Sequence, residues 1–301
     1  MAVSGILNVD KPAGWTSFDV VRFIRRRCGE RRVGHAGTLD PAATGVLPVL
    51  IGQATRLAEY LVDATKAYEA VVELGVVTDT YDAEGDVVAR QDASGVTREQ
   101  VEGALAAFRG DFLQAPPAFS ALKRDGVPLY KRARRGEHVE VESRPVRVDE
   151  LNITSWDPPR VSLNVECAKG FYVRSLAHDL GAALGVGGTL ASLRRSRVGP
   201  FRVEDAAGVE ELAAAFEAGE WRRYLWAPDE VLLAWDAAIL RPENGARLRN
   251  GRPVYLAADA LAEVRPDHLC RAYTTEGDFV GVVRWSGAKL SADKVFAVPD
   301  G

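Results

Sequence analysis

The sequence predicts an α+β fold, on three observations. Runs suited to strands are interspersed with capped helical patterns, the two kinds do not recur in the β-α-β rhythm of a parallel sheet, and the C-terminal part carries only short strand candidates separated by turns. In order, residues 5–9 read as a short strand. Ser17 caps a helix carrying Phe18, Val21, Phe23 and Ile24 that ends at Cys28 and Gly29. The apolar run 46–51 suits a buried strand, and 54–61 a helix. Residues 68–74 alternate as a strand with one buried face, and 78–86 form a polar, exposed loop. A capped helical pattern covers 97–108. Pro116 and Pro117 then lead through Phe119 into a basic stretch. Strands are expected over 144–153 and 160–168, turning at Asp157-Pro158-Pro159, and a helix over 174–184 stopped by Gly185. The acidic, alanine-rich stretch 204–220 reads as a peripheral helix. A second unit begins between 227 and 240, with strand candidates at 254–256, 269–273, 279–285 and 294–298.

With 301 residues, 47% of them hydrophobic, the chain suffices for one large domain and a small one. No apolar run approaches the roughly 20 residues of a membrane-spanning helix. The start, Met1 to Gly5, lacks a basic segment followed by an apolar one, so no secretory signal is expected. Cys28, Cys167 and Cys270 are few and far apart, and His35, His138, His178 and His268 are scattered. Neither set suits a disulfide framework or a metal site. A cytoplasmic, metal-free protein is the expectation.

Net charge is −4, yet residues 1–200 hold 26 Lys and Arg against 25 Asp and Glu, while 201–301 hold 12 against 17. Within the first part the basic residues cluster. Arg22, Arg25, Arg26, Arg27, Arg31 and Arg32 form one group; Lys123, Arg124, Lys131, Arg132, Arg134 and Arg135 form another. Screening confines such attraction to roughly 8–10 Å, so local clusters can hold phosphates on a slightly acidic protein.

The most informative segment is Gly34-His-Ala-Gly-Thr-Leu-Asp-Pro-Ala-Ala-Thr-Gly45. Asp40 stands among small residues, with three glycines around it and Pro41 after it. The backbone can therefore approach a ligand closely while presenting one carboxylate. The apolar run 46–51 ties this loop to the core.

These residues, GHAGTLDPAATGVLPVLIG, resemble the catalytic motif of the TruB family of stand-alone tRNA pseudouridine-55 synthases. Other matches follow the family's order. Asp10-Lys-Pro-Ala-Gly-Trp-Thr-Ser17 resembles the opening DKPxGxTS motif, and Lys66-Ala-Tyr68 begins the strand bearing the active-site tyrosine. Lys169-Gly-Phe-Tyr-Val-Arg174 resembles KGTYIR, with Phe171 where threonine is usual, and Leu193-Arg-Arg195 comes at the expected distance. The likeness runs from about residue 5 to about 200. It implies a catalytic domain over 1–230 with a mixed, largely antiparallel sheet, and a small β-rich, PUA-like RNA-binding domain over 231–301.

The reaction breaks the N1–C1′ bond of uridine, turns the base and joins C5 to C1′, without redox change, so it needs no cofactor. The resemblance makes Asp40 the catalytic carboxylate, attacking C1′ or deprotonating C2′; both routes stay open. Arg174 would pair with it through a planar, two-point contact. Tyr68 would stack on the base and assist loss of the C5 proton. Leu193 would wall the uracil pocket and Tyr172 pack against the active-site strand. The Phe171 replacement removes a hydroxyl from that motif. His35 would fill the space left by the extruded nucleotide, and Lys11 would support the loop or a phosphate. Lys123, Arg124, Lys131 and Arg132 lie in a stretch, about 118–136, that resembles the family's RNA-clamping segment. The expected partner is the tRNA T arm, bound by a monomer without guide RNA and away from membranes, with tRNA-folding chaperone activity as an accessory role.

Two rivals are weighed. The guide-RNA-dependent relatives carry a long basic tail and a different 118–136 segment. A retaining glycoside hydrolase shares the attack on an anomeric carbon but requires a second carboxylate about 5–5.5 Å away. Only Asp10 and Asp179 stand near the motifs.

Overall fold

We describe the protein from a computed structural model, over residues 3–119, 123–124, 127–128, 141–257, 261 and 265–297. The elements run β1 (Gly5–Lys11), α1 (Ser17–Cys28), β2 (Val33–His35), β3 (Thr44–Ile51), a 3-10 helix (Gly52–Leu57), α2 (Ala58–Asp63), β4 (Lys66–Leu74), β5 (Val76–Thr78), β6 (Val87–Arg90), α3 (Arg98–Leu105) and β7 (Gly110–Gln114). A short pair, β8 (Lys123–Arg124) and β9 (Val127–Pro128), precedes β10 (Arg144–Asp157), β11 (Arg160–Cys167), α4 (Val173–Ala183) and β12 (Gly188–Val198). Then come β13 (Phe201–Arg202), β14 (Ala207–Gly208), α5 (Val209–Glu217), β15 (Leu225–Trp226), β16 (Ala237–Leu240), α6 (Pro242–Arg249), β17 (Val254–Tyr255), β18 (Leu269–Thr274), β19 (Phe279–Trp285) and β20 (Lys289–Val295).

Eleven strands form one mixed sheet, its main order β14-β1-β3-β12-β4-β11-β10-β7. Only β1 with β14 and β3 with β12 pair in parallel; the remaining pairs are antiparallel, as expected. Both faces are covered, which explains the unbroken apolar run of β3. Leu47, Val49 and Ile51 pack with Val20, Ile24 and Leu212 of α1 and α5. Val46 and Leu50 face Leu57 and the C-terminal residues Val282 and Phe296. A further cluster joins Val72, Leu151 and Leu163 to α3 and α4 through Val101, Leu105 and Leu176.

Four details differ from the sequence reading. Helix α1 is capped by Thr16, not Ser17: the Thr16 hydroxyl accepts from the Asp19 amide and the Asp19 carboxylate accepts from the Thr16 amide, each at 3.0 Å, a reciprocal capping box. That frees Ser17, which accepts from the Leu39 amide at 2.9 Å and donates to the Leu39 carbonyl at 3.1 Å. The expected helix 54–61 opens as a 3-10 turn. Strand β12 has no strong alternation to reveal it, because its sequence holds three arginines and two serines. The last strand is 289–295 where 294–298 was expected, residue 298 lying outside the described residues; Phe296 still donates to Val280 O at 2.9 Å while its ring packs against the main body.

The C-terminal sheet has the order β16-β18-β19-β20-β17 and a core of its own around Leu248, Val280, Trp285 and Leu290. It is tied to the large sheet's helical edge. Arg56 donates to the Val295 carbonyl, Tyr60 donates to Asp293 at 3.0 Å, and the Gln53 side chain bonds both backbone groups of Ala297.

Candidate active site

Asp40 lies on the loop joining β2 to β3, and three side chains from elsewhere fix that loop. Lys11, at the end of β1 and with no exposed surface, donates to the carbonyls of Pro12, Trp15 and Pro41 at 2.9, 2.6 and 3.1 Å. Its ammonium is thus bonded to three backbone carbonyls around the Asp40 loop. Burial lowers its pKa to about 8, against the opposing pull of Asp40. Ser17 holds Leu39, next to the carboxylate. Arg195, 1% exposed on β12, donates from Nε to Val46 O at 2.8 Å and from Nη2 to Gly37 O at 2.9 Å. The close approach of β3 to β12 requires glycine: a Cβ on Gly45, whose φ is +100°, would stand 2.2 Å from the Arg195 carbonyl oxygen.

Arg174 comes from the first turn of α4. No side chain of Tyr172 caps this helix. Instead Gln114 of β7 accepts from the Tyr172 amide at 2.9 Å and donates to its carbonyl at 3.1 Å, and Ser175 donates to Ala115 O at 2.7 Å. With its helix so anchored, the Arg174 side chain, 7% exposed, sets Nε 3.0 Å from Asp40 Oδ2 and Nη2 3.4 Å from Oδ1. The same guanidinium donates to Phe119 O at 3.0 Å and Thr80 O at 3.3 Å, and places Nη1 3.5 Å from Asp82 Oδ2. Loss of water raises the Asp40 pKa above the usual carboxylate range. Arg174 pulls it back without cancelling the rise, and Asp82 adds to it.

These groups border a cleft of about 290 Å³ lined by Asp40, Tyr68, Phe171, Tyr172, Leu193 and Arg195 among others. Tyr68 of β4 lies directly across the ladder from Arg195, and Leu193 across from Ala70. Burial raises the Tyr68 pKa while the hydrogen-bonded Arg195 guanidinium opposes the rise. The phenol is therefore protonated at neutral pH, an apolar face with a polar tip.

Among the expected site residues, Asp40, Tyr68, Tyr172, Arg174 and Leu193 come together at this cleft. His35 stands on β2 opposite Val49, outside the cleft lining. Its Nδ1 is buried without a hydrogen-bond partner among the described residues, and burial, reinforced by Arg195, lowers its pKa, leaving the ring neutral at pH 7. Lys123 and Arg124 are described only as backbone of β8, and Lys131 and Arg132 lie outside the described residues. Phe171 sends its ring edge-on to Phe112, centroids 6.3 Å apart, so packing occupies the place of the usual hydroxyl. Two residues were not anticipated as part of the site. Asp82 sits in the supposedly exposed loop 78–86, yet its side chain is 14% exposed and the loop is bonded to β12 through Leu190. Arg195 closed the Leu193-Arg-Arg195 match with no role assigned to it. Asp10 and Asp179 are engaged elsewhere, with Arg194 at 2.9 Å and His178 at 3.1 Å.

The model of the TruB family pseudouridylate synthase N-terminal domain matches residues 25–173, and that of the tRNA pseudouridylate synthase B C-terminal domain matches 174–239. A tRNA pseudouridine synthase B from Ruegeria pomeroyi is 45% identical over 99% of this chain and 97% of its own length. The chain belongs to the TruB family. Within it, the homonymous protein of Thermobifida fusca is 52% identical over 70% of this chain and 75% of its own, and that of Pseudomonas aeruginosa 44% identical over 84% of each. Among solved structures, a Cbf5-Nop10-Gar1 complex aligns with a TM-score of 0.74 and 26% identity, over 97% of this chain and 85% of that one. An archaeal box H/ACA sRNP Nop10-Cbf5 complex aligns with a TM-score of 0.73 and 26% identity, over 97% and 86%. This TruB-family chain is thus a pseudouridine synthase, an isomerase. Among the described residues no group of three or more His, Cys, Asp or Glu could hold a metal ion, and no helix is long and apolar enough to cross a membrane.

Proposed function

We propose that the protein isomerises uridine 55 in the T loop of tRNA to pseudouridine, with Asp40 as the attacking or proton-abstracting carboxylate. The observation that carries this reading is the two-point contact of buried Arg174 with Asp40 at the mouth of a cleft walled by Tyr68 and Leu193. Arg174 keeps Asp40 ionised against the burial that favours its neutral form, and aims both oxygens. The cleft accepts one base, not a helix, so the uridine must leave its stack. Tyr68 and Leu193 sandwich the uracil. While the base is free, C5 replaces N1 at C1′; the C5 proton departs and N1 gains one, so composition is unchanged. Tyr68, which borders the cleft, assists that transfer through its hydroxyl.

His35, neutral and adjacent to the loop, suits the filling of the vacated space. Lys123, Arg124, Lys131 and Arg132 would neutralise T-arm phosphates. We assign residues 1–230 to catalysis and 231–301 to a PUA-like RNA-binding domain, in a cytoplasmic monomer with accessory tRNA-folding activity. Action without guide RNA is supported by near full-length likeness to bacterial proteins named tRNA pseudouridine synthase B, against 26% identity to the Cbf5 structures.

A retaining hydrolase is disfavoured by the state of the second carboxylate. Asp82 accepts from Thr80 Oγ1 at 2.6 Å and the Glu84 amide at 3.1 Å, and faces Arg174. Its oxygens are thus already engaged within the loop and at Arg174. The test is nucleotide-resolved mapping of pseudouridine in an unmodified tRNA transcript, for wild type beside Asp40→Asn without added metal. Product at uridine 55 from wild type alone is expected; none from a folded, tRNA-binding wild type would refute the reading.

A further inference from the structure

Residues 80–82 lie as a strap along one face of α4. Arg174 and His178 are one helical turn apart and share that face. Three consecutive strap residues meet them: the Thr80 carbonyl and the Asp82 carboxylate at Arg174, and between them the Tyr81 ring on the His178 imidazole, centroids 4.0 Å apart and planes at 25°. Tyr81 has a φ of 65°, in the left-handed region that non-glycine residues adopt only when their surroundings over-determine it. Those surroundings are visible. The Tyr81 carbonyl accepts from Leu190 N at 3.0 Å, and Ala83 N donates to Leu190 O at 3.0 Å. Thr78 Oγ1 donates to Asp82 O at 2.7 Å.

We propose that Tyr81 and His178 are positioning residues: their stack holds the strap on α4, keeps Asp82 on Arg174, and so fixes the guanidinium that orients Asp40. Asp82 Oδ1 is engaged within the strap, which leaves Oδ2 for Arg174 at 3.5 Å, a separation that a small outward shift of the strap would break. Backbone pairing with β12 fixes the strap on one side, and on the other the ring stack joins it to α4 one turn beyond the Thr80 and Asp82 contacts with Arg174. A shift of about 1 Å at that end can cost about 100-fold in rate without touching substrate.

This inference rests on the proposed role of Asp40, and the experiment separates the two. Wild type and Asp40→Asn report on that role alone. Tyr81→Gly relieves the φ and removes the ring, Tyr81→Phe keeps the ring, and His178→Ala and His178→Phe repeat the contrast from the helix side. Single-turnover pseudouridine formation is expected to fall about 10- to 100-fold in Tyr81→Gly and His178→Ala, with tRNA affinity within about twofold, and to stay within about threefold of wild type in the two phenylalanine variants. In an Asp82→Asn background, Tyr81→Gly should add less than about twofold, because both act through one contact. The Arg174 Nε–Hε resonance, sharp in wild type, should broaden in Tyr81→Gly, a readout independent of activity. Near-wild-type rates in both ring-deleted variants, losses matched by tRNA affinity, or full additivity with Asp82→Asn would each overturn the proposal. If Tyr81→Gly does not fold, the His178 pair decides.

Discussion

Arg174 meets Asp40 edge-on, Nε 3.0 Å from one carboxylate oxygen and Nη2 3.4 Å from the other, while its third nitrogen faces Asp82 at 3.5 Å. The two aspartates therefore compete for one cation, and the proton affinity of Asp40 depends on both. Burial raises it, Arg174 lowers it and Asp82 raises it. On the role proposed for Asp40, activity requires its carboxylate and is expected to fall as pH drops through the Asp40 pKa, above the ordinary value of about 3.9. Asp82→Asn removes a raising charge, so its acid limb moves to lower pH. Arg174→Gln removes a lowering one, so its limb moves to higher pH, on top of a rate loss of about 100-fold or more. A pH profile of single-turnover rates checks both; shifts of the same sign would contradict this account.

Lys11→Met should destabilise the protein, and by more as pH rises. The substitution strands three carbonyl groups, costing about 1–3 kcal/mol. In addition, the Lys11 pKa is near 8 in the fold and near 10.5 unfolded. Between those values the unfolded chain binds more protons, so wild-type stability gains with pH from this residue and the variant's does not. Urea unfolding of both proteins at pH 7 and about 9.5 measures the widening gap.

Arg195→Met should cost about 2–4 kcal/mol, because the Val46 and Gly37 carbonyls lose a buried donor. Arg195→Lys recovers only part of this, since one ammonium cannot span both carbonyls and the Tyr68 hydroxyl. Denaturant midpoints with the three side chains test the order wild type, lysine, methionine.

Phe171→Thr restores the residue usual at this motif, yet should lower stability by about 2–4 kcal/mol. Phe171 is 9% exposed and its ring fills space beside Phe112. Calorimetry should register the loss, with the rate at saturating tRNA changed less than about threefold; an unchanged Tm would mean that the neighbouring side chains close the gap.

The sequence carried much of this arrangement in local signals. Asp40 announces itself through glycines and a proline, and Thr97 and Gly185 mark helix ends where the protein has them. Asp82 and Arg195 escaped for a shared reason. Asp82 stands among turn-forming polar residues and Arg195 among arginines, and each is buried by a strand distant in sequence. Asp82 is covered through Leu190, and Arg195 lies between β3 and β4. Burial of that origin leaves no periodicity. The same holds for β12, whose central place in the sheet comes from its neighbours rather than from its own alternation.

That central place also sets an order in time. Strands β3 and β4 are made early and flank β12, whose residues follow more than a hundred positions later. A chain emerging from the ribosome therefore holds Asp40, Tyr68 and Arg174 before the strand that brings Arg195 between them. Pairing β12 with β3 and β4 closes contacts of long sequence separation, a slow kind of event. A chain halted just short of β12 would thus carry Asp40, Tyr68 and Arg174 without the buried guanidinium that ties the Asp40 loop to the strand bearing Tyr68.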